Sequence, residues 1–223
     1  MELTEVMSTT AACREFTAEP VTDDTLRQIL DSARFAPSGG NRQPWRLVRV
    51  ERRDLREEIA RLYSLGWREY WAHVERGLVP FAPGPDGRWD GPGVDLAAAR
   101  ERPAPDAFGD QLATVPVMLV LLAHLGSLAV TDNGLGRQSI VGGASVYPFG
   151  HNVLLAARNV GLGGVMTTVL CRQEPAVRAL LEVPPAFAVA GLIVLGHPVH
   201  QVTRLRRKEA GEFLFLDRFE GDE

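Results

Sequence analysis

The most distinctive segment of the chain is APSGGNRQPW, which spans residues 36–45. Upstream of it, Thr22-Asp23-Asp24 has the composition of a helix N-cap, and apolar side chains at 26–33 recur at helical spacing. Residues 37–40, Pro-Ser-Gly-Gly, are turn chemistry and should end that helix. Residues 45–50 then predict a strand, so a helix and a strand are joined by one tight turn.

The remaining pattern interleaves helices and strands without a regular βαβ period, which favours an α+β fold over a doubly wound sheet. Continuous apolar runs predict buried core strands, and periodic apolar residues predict helices. The predicted strands are residues 115–122, 164–170 and 187–195. The predicted helices are residues 3–12, a segment carrying Leu55, Ile59 and Leu62, residues 153–160, and a short helix that begins at Pro175 and carries Val177, Leu180 and Leu181.

Composition restricts the class of protein. Of the 223 residues, 45% are apolar and 23% are charged, which is typical of a globular protein, here one domain over residues 1–223. With a net charge of −4, we expect no electrostatic attraction of the chain to nucleic acid or anionic lipid. Cys13 and Cys171 are too few for a disulfide framework and indicate a reducing compartment. Without an apolar signal region or a run long enough to span a bilayer, we expect a cytoplasmic protein.

Several common chemical motifs fail on spacing or context. His197 and His200 lack the additional ligands of a zinc site, so no metal is expected. Lys208, the one lysine, is not followed by Ser or Thr, which excludes a P-loop. Residues 143–147 lack the second glycine of a serine-hydrolase elbow. The glycines at 161–164 follow a helix and precede a strand, which is the reverse of the order in a dinucleotide-binding loop.

Three segments carry more than turn or packing signals, and their order and spacing are informative together. They are Cys13-Arg14-Glu15-Phe16 with Pro20-Val21, the APSGGNRQPW segment, and residues 161–168, which precede Gly196-His197-Pro198 and the basic cluster 204–208. With the Leu-Leu-Ala-Ala run at 154–157, they resemble the nitroreductase family of flavoproteins, which includes the iodotyrosine deiodinases. The resemblance extends over nearly the whole chain, and APSGGNRQPW is its most specific part.

The resemblance implies an α/β/α sandwich with a mostly antiparallel central sheet flanked by helices. It also implies an obligate homodimer with two FMN sites at the subunit interface. The C-terminal segment, residues 199–223, would embrace the partner subunit and bury the apolar residues 213–215. The Pro- and Gly-rich residues 82–110 predict an insertion that forms a long surface loop, which is either a lid or binding element or a disordered segment.

The resemblance also assigns cofactor contacts. Arg14 would lie near N1 and the C2 carbonyl of the flavin, where a cation stabilises the negative charge of the reduced ring. The other expected FMN contacts are Ser38 and Gly39 through hydroxyl and backbone, Asn41 and Gln43 on the ribityl or pyrimidine edge, Met166, Thr167 and Thr168 near ring atom N5, and Arg206 and Arg207 on the phosphate, with Arg204 nearby. The expected substrate pocket consists of Gly40, Trp67, Tyr70 and Trp71. Ordinary packing of a core helix explains the three aromatic residues equally well.

The implied activity is hydride transfer from NAD(P)H through flavin N5 to a nitroaromatic, a quinone or a similar small acceptor, in a ping-pong sequence. The cofactor carries this chemistry, so no side chain is expected to act as a catalytic acid or base. Two alternatives remain open. One is a reductive dehalogenase or another specialised flavoprotein, and the other is a flavin-binding protein that sequesters its ligand without turnover.

One part of the family pattern is absent. The family has Arg-Arg-Ser or Arg-x-Ser immediately before the x-Arg motif, whereas this chain has Thr10-Ala11-Ala12. A phosphate-binding arginine and a serine hydroxyl are therefore missing. Three explanations are open: compensation by Arg206 and Arg207, weak binding of FMN, or use of another cofactor such as a deazaflavin. Of these, we expect compensation by the C-terminal arginines.

Overall fold

A four-stranded antiparallel sheet forms the centre of the computed structural model, which describes residues 1–89 and 91–219. The strands are β1 (Trp45–Arg49), β2 (Val117–His124), β3 (Gly163–Thr167) and β4 (Phe187–Gly196). Their order across the sheet is β1-β2-β4-β3, and every neighbouring pair is antiparallel. Strands β1 and β3 therefore form the two edges.

Helices and 3-10 turns connect these strands. The α-helices of the described residues are α1 (Leu3–Thr9), α2 (Asp23–Ala33), α3 (Arg53–Glu75), α4 (Leu96–Arg100), α5 (Phe108–Gln111), α6 (Tyr147–Asn159) and α7 (Glu174–Leu180). The 3-10 turns are Gly39–Asn41, Leu112–Thr114, Leu125–Ser127, Val141–Ser145, Val169–Gln173 and Ala210–Glu212. None of the helices in this part of the chain combines the length and apolar character needed to cross a lipid bilayer.

The helices cover both faces of the sheet. Side chains of the central strand β2 alternate between two buried clusters: Met118, Val120 and Leu122 face α3, α5 and α7, whereas Leu119 and Leu121 face α2 and α6. Burial on both faces explains why β2 and β4 are continuous apolar runs in the sequence. The predicted α+β architecture, with helices flanking a mostly antiparallel sheet, is confirmed.

The predicted starts of two elements are wrong because a proline lies at each true boundary. Strand β2 begins at Val117 rather than residue 115, since Pro116 has no N–H to donate to the ladder. Helix α6 begins at Tyr147 rather than residue 153, and Pro148 occupies its first turn, where a missing N–H costs nothing. Proline and glycine are poor helix formers, which hid this first turn in the sequence.

Two other elements are shorter than predicted. Helix α1 ends at Thr9 rather than residue 12, because the chain leaves the helix and Ala12 bridges to Gly164 of β3. Strand β3 ends at Thr167 rather than residue 170, and the chain continues as a 3-10 turn. Thr167 and Thr168 consequently lie at the end of an edge strand rather than inside it.

The insertion at residues 82–110 is only partly a loop. It contains α4, whose N-cap Asp95 accepts a hydrogen bond from the Ala98 N–H at 3.0 Å, and the start of α5. Val94, Ala99 and Phe108 are buried, and both helices pack on α3. The prediction of a surface loop is therefore wrong for the second half of the insertion, which contains α4 and the start of α5. Helices of five and four residues are too short to show a periodic pattern in the sequence. Asp90 lies outside the described residues.

A buried carboxylate joins the insertion to the core. Glu69 of α3 is fully buried, and its two oxygens bind Arg100 of α4 at 2.6 Å and Arg172 at 3.0 Å. The guanidinium of Arg172 also lies over the rings of Phe81 and Trp89, at 5.4 and 4.7 Å from their centres. One carboxylate thus connects α3, the insertion and the 3-10 turn that follows β3.

We expect Glu69→Ala to lower the free energy of unfolding by about 2 kcal/mol, because two arginines lose the carboxylate that neutralises them. Removing one partner of a fully buried pair costs roughly 3–5 kcal/mol, but here both arginines keep contact with solvent. Urea-induced unfolding measures the change. The matched control is Glu57→Ala on the same helix, whose exposed pair with Arg53 should contribute about 0.5 kcal/mol or less. Equal losses in the two variants would contradict this role of Glu69.

Candidate functional site

A cavity of about 670 Å³ opens beside the edge strand β3. This volume lies within the range of small-molecule and cofactor sites. The lining residues come from five parts of the chain: residues 10–16 after α1, residues 106–108 and Gln111 around α5, Leu154 and Arg158 of α6, residues 162–164 at the start of β3, and residues 199–202 after β4. Segments that are distant in sequence therefore form one concave surface.

Backbone hydrogen bonds hold the segment after α1 in this position. The bonds run from Cys13 N–H to Gly164 O at 2.9 Å, from Thr17 N–H to His197 O at 2.8 Å, and from Val199 N–H to Glu15 O at 3.1 Å. Residues 12–17 consequently lie between β3 and the chain that follows β4. The N-terminal and C-terminal parts of the polypeptide meet at the cavity.

Glycine at 163 permits this close approach, and glycine at 164 permits the close packing of β3 against β4. A Cβ atom on Gly163 would lie 2.9 Å from Cys13, and one on Gly164 would lie 2.7 Å from the backbone oxygen of Val194. Both distances are well below the separation at which nonbonded heavy atoms attract. Gly161, with φ +85°, ends α6 in the left-handed conformation that favours glycine. This glycine run therefore serves a helix end and close backbone packing.

Arg14 brings a positive charge to the cavity. Its guanidinium carbon lies 5.8 Å from the ring centres of both Trp67 and Phe108, within the range of cation–π attraction. Asp106 fixes these two residues, because its carboxylate accepts hydrogen bonds from Trp67 Nε1 at 2.8 Å and from the Phe108 N–H at 3.0 Å. Within the described residues the guanidinium has no hydrogen-bond partner, so its donors are available to a ligand.

The aromatic residues predicted for a substrate pocket pack together on α3. Trp67 is buried and stacks on Tyr70 with ring centres 4.9 Å apart, and Trp71 meets Trp67 edge-on at 6.0 Å. In the part of the chain that the structure describes, none of the three lines the cavity directly, and Trp67 reaches it through Arg14. The structure shows the packing of a core helix, and contact of these residues with an acceptor stays a prediction.

A buried tyrosine that sequence patterns did not single out positions Thr167. Tyr63 of α3 is fully buried, and its hydroxyl lies 3.3 Å from Thr167 Oγ1. Burial raises the pKa of Tyr63 to about 12, and the hydrogen bond to Thr167 opposes this only in part. The next residue, Thr168, is exposed, while Met166 faces the other side of the sheet, where Gly150 of α6 leaves room for its sulfur.

The turn at residues 38–43 is held by two internal hydrogen bonds and one bond to Ser145. They run from Gln43 N–H to Ser38 Oγ at 3.0 Å, from Gln43 Nε2 to Asn41 Oδ1 at 3.0 Å, and from Gly39 N–H to Ser145 Oγ at 3.1 Å. Gly40 and Asn41 adopt φ values of 60° and 53°, a conformation that glycine and asparagine tolerate best. The residues assigned to FMN on this turn therefore form one ordered unit.

Two central strands separate this turn from the Arg14 cavity. The turn precedes β1, whose first residue Trp45 pairs with Ala123 at one end of the sheet. The cavity adjoins Gly163 on the opposite edge, which pairs with Gly196 at the other end. Neighbouring strands lie about 4.8 Å apart, so the two edges are separated by about 14 Å. One chain therefore does not bring the turn residues Ser38, Gly39, Gly40, Asn41 and Gln43 together with Arg14.

The C-terminal basic cluster begins just beyond the cavity. Val202 is the last lining residue on this segment, whereas Arg204, Arg206 and Arg207 are exposed and are not among the lining residues of the described structure. Arg207 Nη1 donates a hydrogen bond to the backbone oxygen of Arg206 at 2.7 Å. The phosphate contacts assigned to Arg206 and Arg207 stay a prediction.

Two polar residues of the cavity were missed by sequence reasoning. Arg158 of α6 donates from Nε to Thr9 Oγ1 at 2.9 Å, and Gln201 donates from Nε2 to the Thr9 backbone oxygen at 3.2 Å. Gln201 Oε1 is buried without a hydrogen-bond partner in the described residues. A signal for Arg158 exists in the sequence, because it is the one charged residue of the helical run at 153–160.

Comparison with known proteins gives a consistent family. The protein-family sequence model described as "Nitroreductase family" matches residues 8–197 of the chain. The chain is 31% identical over 192 residues to the NADH dehydrogenase of Thermus thermophilus, covering 84% of this chain and 82% of the relative. It is 28% identical over 201 residues to the 5,6-dimethylbenzimidazole synthase of Rhodobacter capsulatus (88% and 83%). It is 26% identical over 215 residues to iodotyrosine deiodinase 1 of Rattus norvegicus (96% and 68%).

Solved structures share the fold. The NADPH:FMN oxidoreductase of Vibrio harveyi, complexed with NAD+, matches with a TM-score of 0.69 at 20% identity and covers 99% of this chain and 79% of that one. A protein from Desulfovibrio desulfuricans described as a nitroreductase, in complex with FMN, matches with a TM-score of 0.66 at 19% identity and covers 98% of each chain. At these identities the similarity establishes the fold.

The burial of Tyr63 should make folding less favourable at high pH. An unfolded tyrosine ionises near pH 10 and folded Tyr63 near pH 12, so between these values the folded state holds a proton that the unfolded chain has lost. The free energy of unfolding should therefore fall across this interval. Tyr63→Phe lacks this contribution, and at neutral pH it should be about 1 kcal/mol less stable because Thr167 loses its partner.

Urea unfolding of the wild type and Tyr63→Phe at several pH values measures the effect. The stability advantage of the wild type should shrink as the pH rises from about 10 to about 12, the interval set by the two pKa values. The comparison isolates Tyr63, because every other titrating group is present in both proteins. An advantage that stays constant over this interval would show that Tyr63 ionises as readily in the folded protein as in the unfolded chain.

Proposed function

Because the chain belongs to the nitroreductase family, we propose that it is an FMN-dependent oxidoreductase that takes hydride from NAD(P)H and passes it to a nitroaromatic, a quinone or a similar small acceptor. The observation that carries this proposal is the cavity beside β3, where the N-terminal and C-terminal segments of the chain meet around Arg14. The names of the Thermus thermophilus and Vibrio harveyi proteins support redox chemistry with a nicotinamide cofactor. Two cysteines without a disulfide support a cytoplasmic location.

The residues at the cavity suit a flavin nucleotide. Arg14 offers guanidinium donors to a group that carries negative charge. The buried Gln201 Oε1 is an acceptor that a ribityl hydroxyl would satisfy. Gly163 and Gly164 form part of the cavity wall. Bound FMN would supply a ring that accepts and donates hydride at N5.

The chain's own residues would provide position and electric field. Two opposite unit charges 4 Å apart attract by about 4 kcal/mol at an effective dielectric constant of 20, so Arg14 would strongly favour negative charge on the ring. Trp67 and Phe108 hold Arg14 before any ligand arrives, which reduces the cost of reorganisation. Tyr63 orients the Thr167 hydroxyl at the end of β3, the position assigned to N5. No side chain is required as an acid or base.

We also propose a homodimer, because the turn at residues 38–43 lies at the far edge of the sheet from the cavity in one chain. In a two-fold dimer, each subunit can contribute its turn to the cavity of the other. The C-terminal segment supports this arrangement. Its apolar residues Phe213, Leu214, Leu216 and Phe219 are 64–85% exposed and would be buried against a partner subunit. Residues 220–223 lie outside the described residues.

The proposed activity predicts yellow purified protein whose visible flavin absorbance is bleached by NADH or NADPH in the absence of oxygen. A nitroaromatic or a quinone should then restore the absorbance. Double-reciprocal plots at several acceptor concentrations should be parallel, and intersecting lines would count against a ping-pong sequence. Protein that dithionite bleaches but neither nicotinamide reduces would be a flavin-binding protein without this activity. Protein that neither contains nor binds FMN would contradict the proposal.

The proposed dimer predicts complementation between two defective variants. Arg14→Gln alters the cavity, and Asn41→Ala with Gln43→Ala alters the turn, so each variant alone should lose most of its flavin. A heterodimer of the two contains one site in which both parts are intact. Random pairing in an equal mixture should therefore restore about a quarter of the wild-type sites.

Flavin absorbance per chain after co-expression measures this complementation. The matched control is co-expression of Arg14→Gln with Arg14→Ala, which share the same defect and should restore no site. Sedimentation of the wild-type protein should give the mass of a dimer. A monomer, or a mixture that binds no more flavin than the single variants, would contradict a site shared between two chains.

A further inference from the structure

Arg158 is a second guanidinium at the cavity, and it comes from a helix rather than from either end of the chain. It lies in the last turn of α6, where the helix dipole favours a cation. Gly161 then ends the helix, and the chain enters β3 at Gly163. The backbone of Arg158 is therefore fixed by a helix whose end leads directly into the cavity wall at residues 162–164.

A buried hydroxyl holds the Arg158 side chain. The Nε atom donates a hydrogen bond to Thr9 Oγ1 at 2.9 Å, and this hydroxyl donates in turn to the backbone oxygen of Glu5 at 2.7 Å. Thr9 is only 6% exposed, so the contact is sheltered from water. Across residues 1–89 and 91–219, the two terminal nitrogens of Arg158 have neither a hydrogen-bond acceptor nor a carboxylate partner. A guanidinium in this state can bind two oxygens of one phosphate.

Two acidic residues, Asp106 and Glu15, also line the cavity. The Asp106 carboxylate is engaged with Trp67 Nε1 and the Phe108 N–H. Glu15 is bound to the neighbouring segment through its backbone oxygen, and its side chain is exposed. Arg14 and Arg158 are both lining residues, so the cavity offers two guanidinium groups to an anionic ligand.

Arg158 also lies where the family pattern is broken. Thr10, Ala11 and Ala12 occupy the positions of the missing arginine and serine, and all three line the cavity together with Arg158. Its anchor, Thr9, is the residue immediately before them. An arginine from α6 thus reaches the part of the wall from which the usual arginine is absent. Arg206 and Arg207, by contrast, are exposed and do not line the described cavity.

From these observations we propose that Arg158 binds the phosphate monoester of the flavin nucleotide in place of the missing N-terminal arginine. It is then the residue by which this chain selects FMN over riboflavin, which has the same ring and ribityl chain but no phosphate. This inference rests on the proposed function, because it assumes a flavin in the Arg14 cavity. It replaces the expectation that Arg206 and Arg207 alone compensate.

The dissociation constants of FMN and riboflavin from the full-length apoprotein, measured by flavin fluorescence, test this assignment. Arg158→Gln should weaken FMN binding about tenfold or more, the effect of losing a charge-assisted hydrogen bond, and leave riboflavin binding unchanged. Inorganic phosphate should compete with FMN in the wild type and more weakly in the variant. Arg158→Lys keeps the charge without the planar fork, and its FMN affinity should be intermediate.

Two control variants and a folding measurement complete the experiment. Arg53→Gln makes the same change of charge at a residue whose side chain is 91% exposed, and it should leave both affinities unchanged. Thermal unfolding reports whether each variant is folded, and Arg158→Lys carries the test if the Gln variant is not. Arg207→Gln tests the competing assignment, since a loss of FMN preference in that variant and none in Arg158→Gln would overturn ours.

The remaining outcomes separate this inference from the proposed function. A wild-type preference for FMN that survives Arg158→Gln would overturn the assignment of Arg158 and leave the flavin function intact. Equal weakening of FMN and riboflavin in that variant would show a structural role instead of phosphate recognition, and would also overturn it. Failure of the wild-type protein to bind either flavin would overturn the proposed function and, with it, this inference.

Discussion

The site depends on the backbone hydrogen bonds that hold residues 12–17 between β3 and the chain after β4. Strand β3 is an edge strand, and an uncovered edge exposes a row of backbone donors and acceptors. The N-terminal segment covers part of this edge through Cys13. Its residues Glu15 and Thr17 form hydrogen bonds with the chain that follows β4. The same bonds place Arg14 over the cavity. Protection of the sheet edge and formation of the cavity are therefore consequences of one interaction.

Close packing of three backbone segments explains the small residues around it. A Cβ atom on Gly196, at the end of β4, would lie 2.7 Å from Pro116 and 2.8 Å from Phe16. Gly163 and Gly164 are restricted in the same way on the neighbouring strand. The path of the N-terminal segment therefore requires glycine at 163 and 196, whereas Gly164 is restricted by β4 and α6. The glycines at 161–164 look like a cofactor-binding loop in the sequence, but they lie at the cavity because the segments converge there.

The sequence predicted the parts of the fold that depend on local pattern. Strands β2 and β4 are long apolar runs because both of their faces are buried, and the amphipathic α2 follows a recognisable cap. The short helices α4 and α5 could not be predicted, since one turn contains no period and tertiary contacts with α3 stabilise them. The predicted boundaries were wrong where a proline lies at the start of an element or where a bridge to a distant strand follows its end.

The candidate site was predictable only where a motif identifies residues directly. Arg14 was found because it belongs to a motif, and the structure places it at the cavity. Arg158 and Gln201 reach the cavity through contacts between segments far apart in sequence, so no local pattern marks their role. The same holds for the contact of Tyr63 with Thr167, two residues that do not line the described cavity. The turn at residues 38–43 carries the most specific motif, yet a single chain leaves it on the opposite edge of the sheet.

Helix α3 links the cavity to the insertion. Tyr63 and Trp67 lie four residues apart and so share a face of the helix, from which one fixes Thr167 and the other supports Arg14. Glu69, on the next turn, binds Arg100 of the insertion. The insertion cannot leave α3 near α4 without breaking a buried ion pair, which is costly. The first half of the insertion is joined to the same network, because the guanidinium of Arg172, which also binds Glu69, lies 4.7 Å from the ring centre of Trp89. Glu69 therefore connects both halves of the insertion to the core.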